Sequence, residues 1–161
     1  MELQATLPSE FHMKYLGFPT KFLSIQIERM TSGMLIHQSD LITKIISRFE
    51  VLPDQSIVIT PMDQKIKFNK TMSCSPLFQG PYRHAIGCLQ YLVACSRPDI
   101  ASAVSILSSF SPYASPTVVH WEALMRVLHY LKGTAQLGLS FFGPHGRGAC
   151  ISWLFRLHLG I

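Results

Sequence analysis

Acidic residues are scarce in this chain. Its 161 residues include 9 Asp and Glu (Glu2, Glu10, Glu28, Asp40, Glu50, Asp54, Asp63, Asp99 and Glu122), and no carboxylate side chain follows Glu122. No two aspartates are adjacent, which leaves few places for chemistry that needs clustered carboxylates. Charged residues of both signs reach 14%, against roughly 25% in an ordinary globular domain. The four cysteines, Cys74, Cys88, Cys95 and Cys150, form no C-x-x-C pair and no metal-ligand spacing with histidine. That usage fits a reduced, intracellular protein. Cys88 and Cys95, seven residues apart, are expected to be small core residues. The seven histidines contain no H-x-x-x-H or H-E-x-x-H, and G-x-S-x-G, P-loop and G-x-G-x-x-G patterns are missing too. The longest apolar region, Ala85 to Phe110, is interrupted at Ser96-Arg97-Pro98-Asp99. Neither side reaches the ~20 residues of a membrane-spanning helix. No secretory signal opens the chain, so it is expected inside the cell, in cytoplasm or nucleus, and not secreted.

The chain does have a core's worth of apolar residues, 48% of the total, which excludes intrinsic disorder. Lys and Arg number 14, giving 14 − 9 = +5, with a pI near 9.2. The basic residues are scattered singly, so a polyanionic partner is permitted but not required.

Periodicity predicts an α+β fold: an N-terminal β-hairpin, then a helix-rich region of about four helices, then a short C-terminal strand. Leu23, Ile25 and Ile27 alternate with polar neighbours over Lys21 to Glu28, as in a half-buried strand. Thr31-Ser32-Gly33 then turns into a returning strand, Met34 to His37. Ser39 is placed to cap a helix from Asp40 to about Phe49, with Leu41, Ile45, Ile46 and Phe49 on its apolar face. Prolines break the pattern from 51 to 80, which reads as a linker with one short strand, Ser56 to Thr60. Tyr82, Ile86, Leu89 and Val93 mark the next helix. Ser96-x-x-Asp99 has the form of a capping box. Ile100, Ala103, Val104, Leu107 and Phe110 mark another helix. Ser115-Pro116 opens the last one, with Trp121, Leu124, Met125, Leu128 and Leu131 inward. Gln136 to Phe142 alternates as a strand.

Tyr82-Arg83-His84-Ala85-Ile86-Gly87-Cys88-Leu89-Gln90-Tyr91-Leu92, followed by Ser96-Arg97-Pro98-Asp99-Ile100, resembles the YR-x-x-IG-x-L-x-YL…TRPDI signature of Ty1/copia-type retrotransposon Pol polyproteins. His120-Trp121, Arg126-Val127-Leu128 and Tyr130-Leu131-Lys132-Gly133-Thr134 resemble that family's continuation. Phe11 to Gly17 and Phe22 to Ile27 resemble its F-x-M-x-DLG…FLG-x-x-I segment. Gly33 to Gln38 and Thr60-Pro61-Met62 resemble its G…LSQ and TPM landmarks. The likeness runs from about Phe11 to Leu139. It implies the C-terminal part of a reverse transcriptase: 1–50 as the end of the polymerase-like region, 51–80 as linker and 81–142 as a thumb- and connection-like region. Residues 143–161 form an apolar tail that matches nothing in the family.

The family's polymerase and ribonuclease H reactions use Mg²⁺, and both ligand sets are missing from this sequence. Two-metal phosphoryl transfer needs several carboxylates to fix the ions. The resemblance therefore implies neither catalytic residues nor a resident metal or other cofactor. It leaves residual nucleic-acid contact, with Lys14, Lys21, Phe22, Leu23, Ser24, Arg83, Arg97, Arg126 and Lys132 as candidates. Phe22-Leu23-Ser24 stands where the family has FLG, a hairpin resembling one that grips a primer strand. Arg97, beside Pro98 and Asp99, fits an ion pair at a helix junction better than a phosphate contact. The partners implied are RNA or DNA, held weakly, or other Pol domains. The thinly charged surface also fits a second class, a protein-interaction module derived from the transposon sequence. No membrane partner is expected.

Overall fold

The computed structural model describes residues 17–30, 33–51, 58–63, 80–110 and 116–142, and the backbone of 150–154. In chain order the elements are β1 (Lys21–Phe22), β2 (Ile25–Met30), β3 (Gly33–His37), α1 (Ser39–Arg48) and α2 (Tyr82–Cys95). A 3₁₀ turn (Pro98–Ile100), α3 (Ala101–Ser108), α4 (Val118–Gly133), β4 (Gly138–Phe142) and β5 (Cys150–Leu154) follow. The fold is α+β, as the periodicity predicts. One antiparallel sheet runs in the order β1-β2-β3-β4-β5, so the chain leaves the sheet after β3, builds the helices and returns beside β3.

The first strand is broken where the sequence pattern reads straight through. Lys21 pairs with Gln26 and Phe22 with Ile25, leaving Leu23 and Ser24 as a two-residue hairpin loop. Their φ values are +47° and +63°. Two positive φ angles make this a type I′ turn, whose twist matches the flanking strands but which strongly favours Asn or Gly. Alternation cannot reveal such a turn when its residues are Leu and Ser. At the other end of the sheet the tail beyond Phe142 supplies β5, paired with β4 from Gly138↔Leu154 to Phe142↔Cys150. Gly33 and Gly138 allow β3 and β4 to close up: a Cβ at either would run into the facing carbonyl oxygen, of Phe141 or Ile36 respectively.

The helices bury a single cluster, to which α1, α2, α3 and α4 all contribute. The stripe read for α3 is buried throughout, from Ile100 to Phe110. Elsewhere the inward faces are rotated by about one residue from the sequence reading. On α1, Ile42 is buried, whereas Leu41 and Ile46 pack at the margin. On α4, Ala123 and Val127 join Leu124, Leu128 and Leu131 inside, while Trp121 and Met125 lie at the edge. Val93 gives way to Leu92, and Cys88 and Cys95 are half-buried rather than core.

Helix ends account for the other departures. Ser39 does not cap α1; Gln26 of β2 accepts the Asp40 N–H at 3.0 Å and the Ser39 hydroxyl at 3.0 Å. A strand side chain thus satisfies an amide that the helix leaves open. Glu50, at φ +50°, closes the other end, with the Val51 N–H reaching the Ile46 carbonyl. The box expected at Ser96 does not form, because Ser96 instead ends α2 and donates to Gln38 Oε1 at 2.8 Å. Helix α4 starts at Val118, later than Ser115-Pro116 suggested. Its cap is Thr117, whose N–H donates to His120 Nδ1 at 3.1 Å. Val58 to Thr60 are not in a strand. Ser56, Ser115, the Thr31-Ser32 turn and Gly143 to Gly148 lie outside the described residues.

Candidate nucleic-acid interface

The type I′ loop pushes two apolar side chains into solvent: Phe22 is 62% exposed and Leu23 67%. Phe18 is 67% exposed, and the Arg29 guanidinium stacks 3.8 Å above its ring. Exposed aromatics beside guanidinium and ammonium groups suit stacking with bases and contact with phosphates. The tip is fixed to the helices, since the Tyr91 hydroxyl of α2 donates to the Leu23 carbonyl at 2.6 Å. Lys21 Nζ meets Asp40 Oδ2 at 2.6 Å, and that neighbour holds the Asp40 carboxyl below its ordinary range. Both partners of this pair are about half exposed, so it ties the hairpin to α1 only weakly.

Between α1 and α2 runs an apolar groove of about 450 Å³, lined by Leu41, Ile45, Arg83, His84, Gly87, Cys88 and Tyr91. It connects the candidates: Tyr91 touches the hairpin tip from one end, and Arg83 is exposed on the same helix. Within it, Cys88 Sγ lies 3.7 Å from His84 Nε2, one helical turn away. A search for H-x-x-x-H passes over this pair; an i, i+4 search that admits mixed ligands finds it. Burial raises the Cys88 thiol pKa, and the charge of Arg48 opposes that shift. Among the described residues, no group of three or more His, Cys, Asp and Glu is gathered to hold a metal.

Arg97 has a different setting. It is 0% exposed, and it grips both oxygens of Asp99, with Nη2 2.7 Å from Oδ2 and Nε 3.0 Å from Oδ1. Nη1 donates to the Thr134 carbonyl and Nη2 to its hydroxyl, both at 2.7 Å. The Tyr130 hydroxyl donates to Asp99 at 2.9 Å, and burial first, then the Asp99 charge, raises the tyrosine's pKa against the opposing effect of Arg97. The RPD and YLKGT landmarks, 37 residues apart, are therefore one buried structure. Other landmark residues also hold the fold. Tyr82 donates to the Leu107 carbonyl at 2.9 Å, and burial pushes its pKa up to about 12. Gln38 is fully buried against Ser96.

The candidates thus fall into separate places. Lys21, Phe22, Leu23 and Ser24 share one hairpin, joined through Tyr91 to the helix that carries Arg83. Arg126 and Lys132 stand on α4, where they donate to Thr60 Oγ1 at 3.2 Å and the Val51 carbonyl at 3.3 Å. Lys14 lies outside the described residues.

The order of landmarks has counterparts in other proteins. The chain is 33% identical over 150 residues to the "Retrovirus-related Pol polyprotein from transposon TNT 1-94" of Nicotiana tabacum, covering 88% of this chain and 11% of that one. It is 36% identical over 135 residues to an uncharacterized mitochondrial protein of Arabidopsis thaliana, covering 83% of this chain and 53% of that protein. A 61-residue stretch is 49% identical to "Secreted RxLR effector protein 161" of Plasmopara viticola, covering 38% of this chain and 42% of the effector. No family model matches the chain, and no solved structure matches it. These likenesses place the chain among transposable-element proteins. More narrowly, it is a retrotransposon Pol-like protein, spanning about a tenth of the Pol polyprotein and about half of the mitochondrial protein. Among the described residues, no helix is long and apolar enough to cross a membrane.

Proposed function

We propose that this segment is catalytically silent and contacts nucleic acid through the hairpin tip and the adjoining face of α2. The observation that carries this is the anchored loop: Phe22 and Leu23 stand in solvent on a turn held by Tyr91, with Lys21 beside them and Arg83 on the supporting helix. Aromatic stacking of this kind contributes about 1–3 kcal/mol per base, and the few cations add a salt-sensitive term. Affinity is accordingly weak. Catalytic silence is supported by the sequence itself, in which 9 carboxylates are spread singly and no aspartate pair occurs to hold two metal ions. Arg97 is left out of the surface because its donors are engaged inside the protein.

A second reading draws on the same tip. Phe22 and Leu23 are exposed apolar side chains that a protein surface could cover, another Pol domain included.

Fluorescence anisotropy with an RNA–DNA hybrid separates the two. Binding that weakens steeply with salt and is lost in Phe22→Ala/Leu23→Ala supports the nucleic-acid reading. A salt-insensitive stoichiometric oligomer that the same variant dissolves supports the interaction module. Primer extension by the purified chain with Mg²⁺ would overturn catalytic silence.

A further inference from the structure

The groove beside the hairpin contains chemistry that neither reading uses. His84 and Cys88 stand one turn apart on α2, and their Nε2 and Sγ atoms approach to 3.7 Å. A tetrahedral Zn²⁺ takes sulfur at about 2.3 Å and imidazole nitrogen at about 2.0–2.1 Å, which sets the two donor atoms about 3.6 Å apart. The two donor atoms therefore already stand at the spacing that one cation requires. The imidazole is steadied by the Phe49 ring, 6.1 Å away between centroids. Gly87, between the two ligands, presents no side chain, and a Cβ there would meet nothing within 4 Å. The groove has room for two further ligands such as water. A mixed thiol and imidazole donor set prefers borderline or soft ions to Mg²⁺ or Ca²⁺.

We propose that His84 Nε2 and Cys88 Sγ form a two-point chelate for a borderline divalent cation of the Zn²⁺ type, with solvent completing its coordination. On binding, the Cys88 thiol releases its proton to solvent as the sulfur–metal bond forms, leaving a net charge of +1 on the metal–thiolate unit. Arg48 favours the thiolate but opposes the cation, and with two protein ligands the site binds more weakly than a closed four-ligand structural site. This chelate does not depend on nucleic-acid binding.

Co²⁺ serves as the probe, with the whole chain kept under a non-thiol reductant. The expected result is a thiolate-to-metal charge-transfer band that saturates at one Co²⁺ per chain and is displaced by Zn²⁺. The band should persist in the triple variant Cys74→Ser/Cys95→Ser/Cys150→Ser and vanish in Cys88→Ser. His84→Gln should weaken binding by at least the roughly 10- to 100-fold that disturbing a ligand's support costs elsewhere. A wild-type chain with no band, a band retained in Cys88→Ser, or unchanged affinity in His84→Gln overturns the proposal. Alkylation by iodoacetamide reads the same site without substitution. Saturating Zn²⁺ should protect Cys88, and an unchanged modification rate there would also overturn it.

Discussion

The Arg97 junction and the Leu23 turn use polar and apolar groups in opposite ways. At the junction a guanidinium is enclosed and bonded to Asp99 and Thr134, so a charge helps close the core. At the turn, apolar side chains stand in water on a backbone that Leu and Ser adopt reluctantly. The first region serves folding, and its signature arginine is unavailable to a ligand. The second contributes little to the core yet is held in place by a hydrogen bond from α2. Membership of the same sequence signature therefore says little about whether a residue contacts a partner.

Substitutions can test this contrast, beginning with the largest effect. Arg97→Met leaves the Asp99 carboxylate without its cation at a site where only 18% of that side chain is exposed. Chemical denaturation should show a loss of about 3–5 kcal/mol; a loss under 1 kcal/mol would contradict a folding role for the Arg97 junction. Tyr91→Phe removes the anchor of the tip without emptying its volume. The expected cost is about 1 kcal/mol, with faster amide exchange confined to the hairpin and weaker binding to an RNA–DNA hybrid. Uniform exchange across the protein would contradict the local anchor. Ser24→Gly restores the residue that the +63° φ prefers and should raise stability by about 0.5–1 kcal/mol. An unchanged or lower melting temperature would contradict the type I′ turn.

Acid is the gentlest probe and acts on the packed region. Burial lowers the pKa of His120 below 6.5, and burial with the charge of Lys132 lowers that of His129. The unfolded chain then binds the extra protons first, so stability is full above the unfolded value and falls as pH drops through the window below it. His120→Gln keeps an acceptor for the Thr117 N–H and removes one titrating group. The melting temperature should therefore fall less between about pH 7 and pH 5 than in the parent. An identical fall would show that His120 is not among the groups responsible.

The α+β class and the α3 stripe were legible in the sequence because spacing alone specifies them. The Leu23–Ser24 turn was not, since neither residue signals positive φ and the alternation of Leu23, Ile25 and Ile27 runs past it. Nor was the Gln26 cap of α1, which depends on a strand lying beside a helix end. The inward faces of α1 and α4 drifted by a residue because apolar side chains occupy two neighbouring positions, Leu41 with Ile42 and Leu124 with Met125, and packing chooses between them. At the candidate surface, the resemblance to FLG points to the hairpin whose tip stands exposed. It could not separate Arg83 from Arg97, because exposure is a tertiary property. The His84–Cys88 pair was readable as i, i+4 but fell between the two patterns sought.

The most direct measurement is the salt dependence of hybrid binding, compared between the parent chain and Lys21→Gln/Arg83→Gln. The surface proposed here requires log K to fall linearly with log salt and the slope to drop by about 2 in the double variant, close to one for each lost phosphate contact. A parent affinity indifferent to salt, or an unchanged slope in the variant, would contradict it.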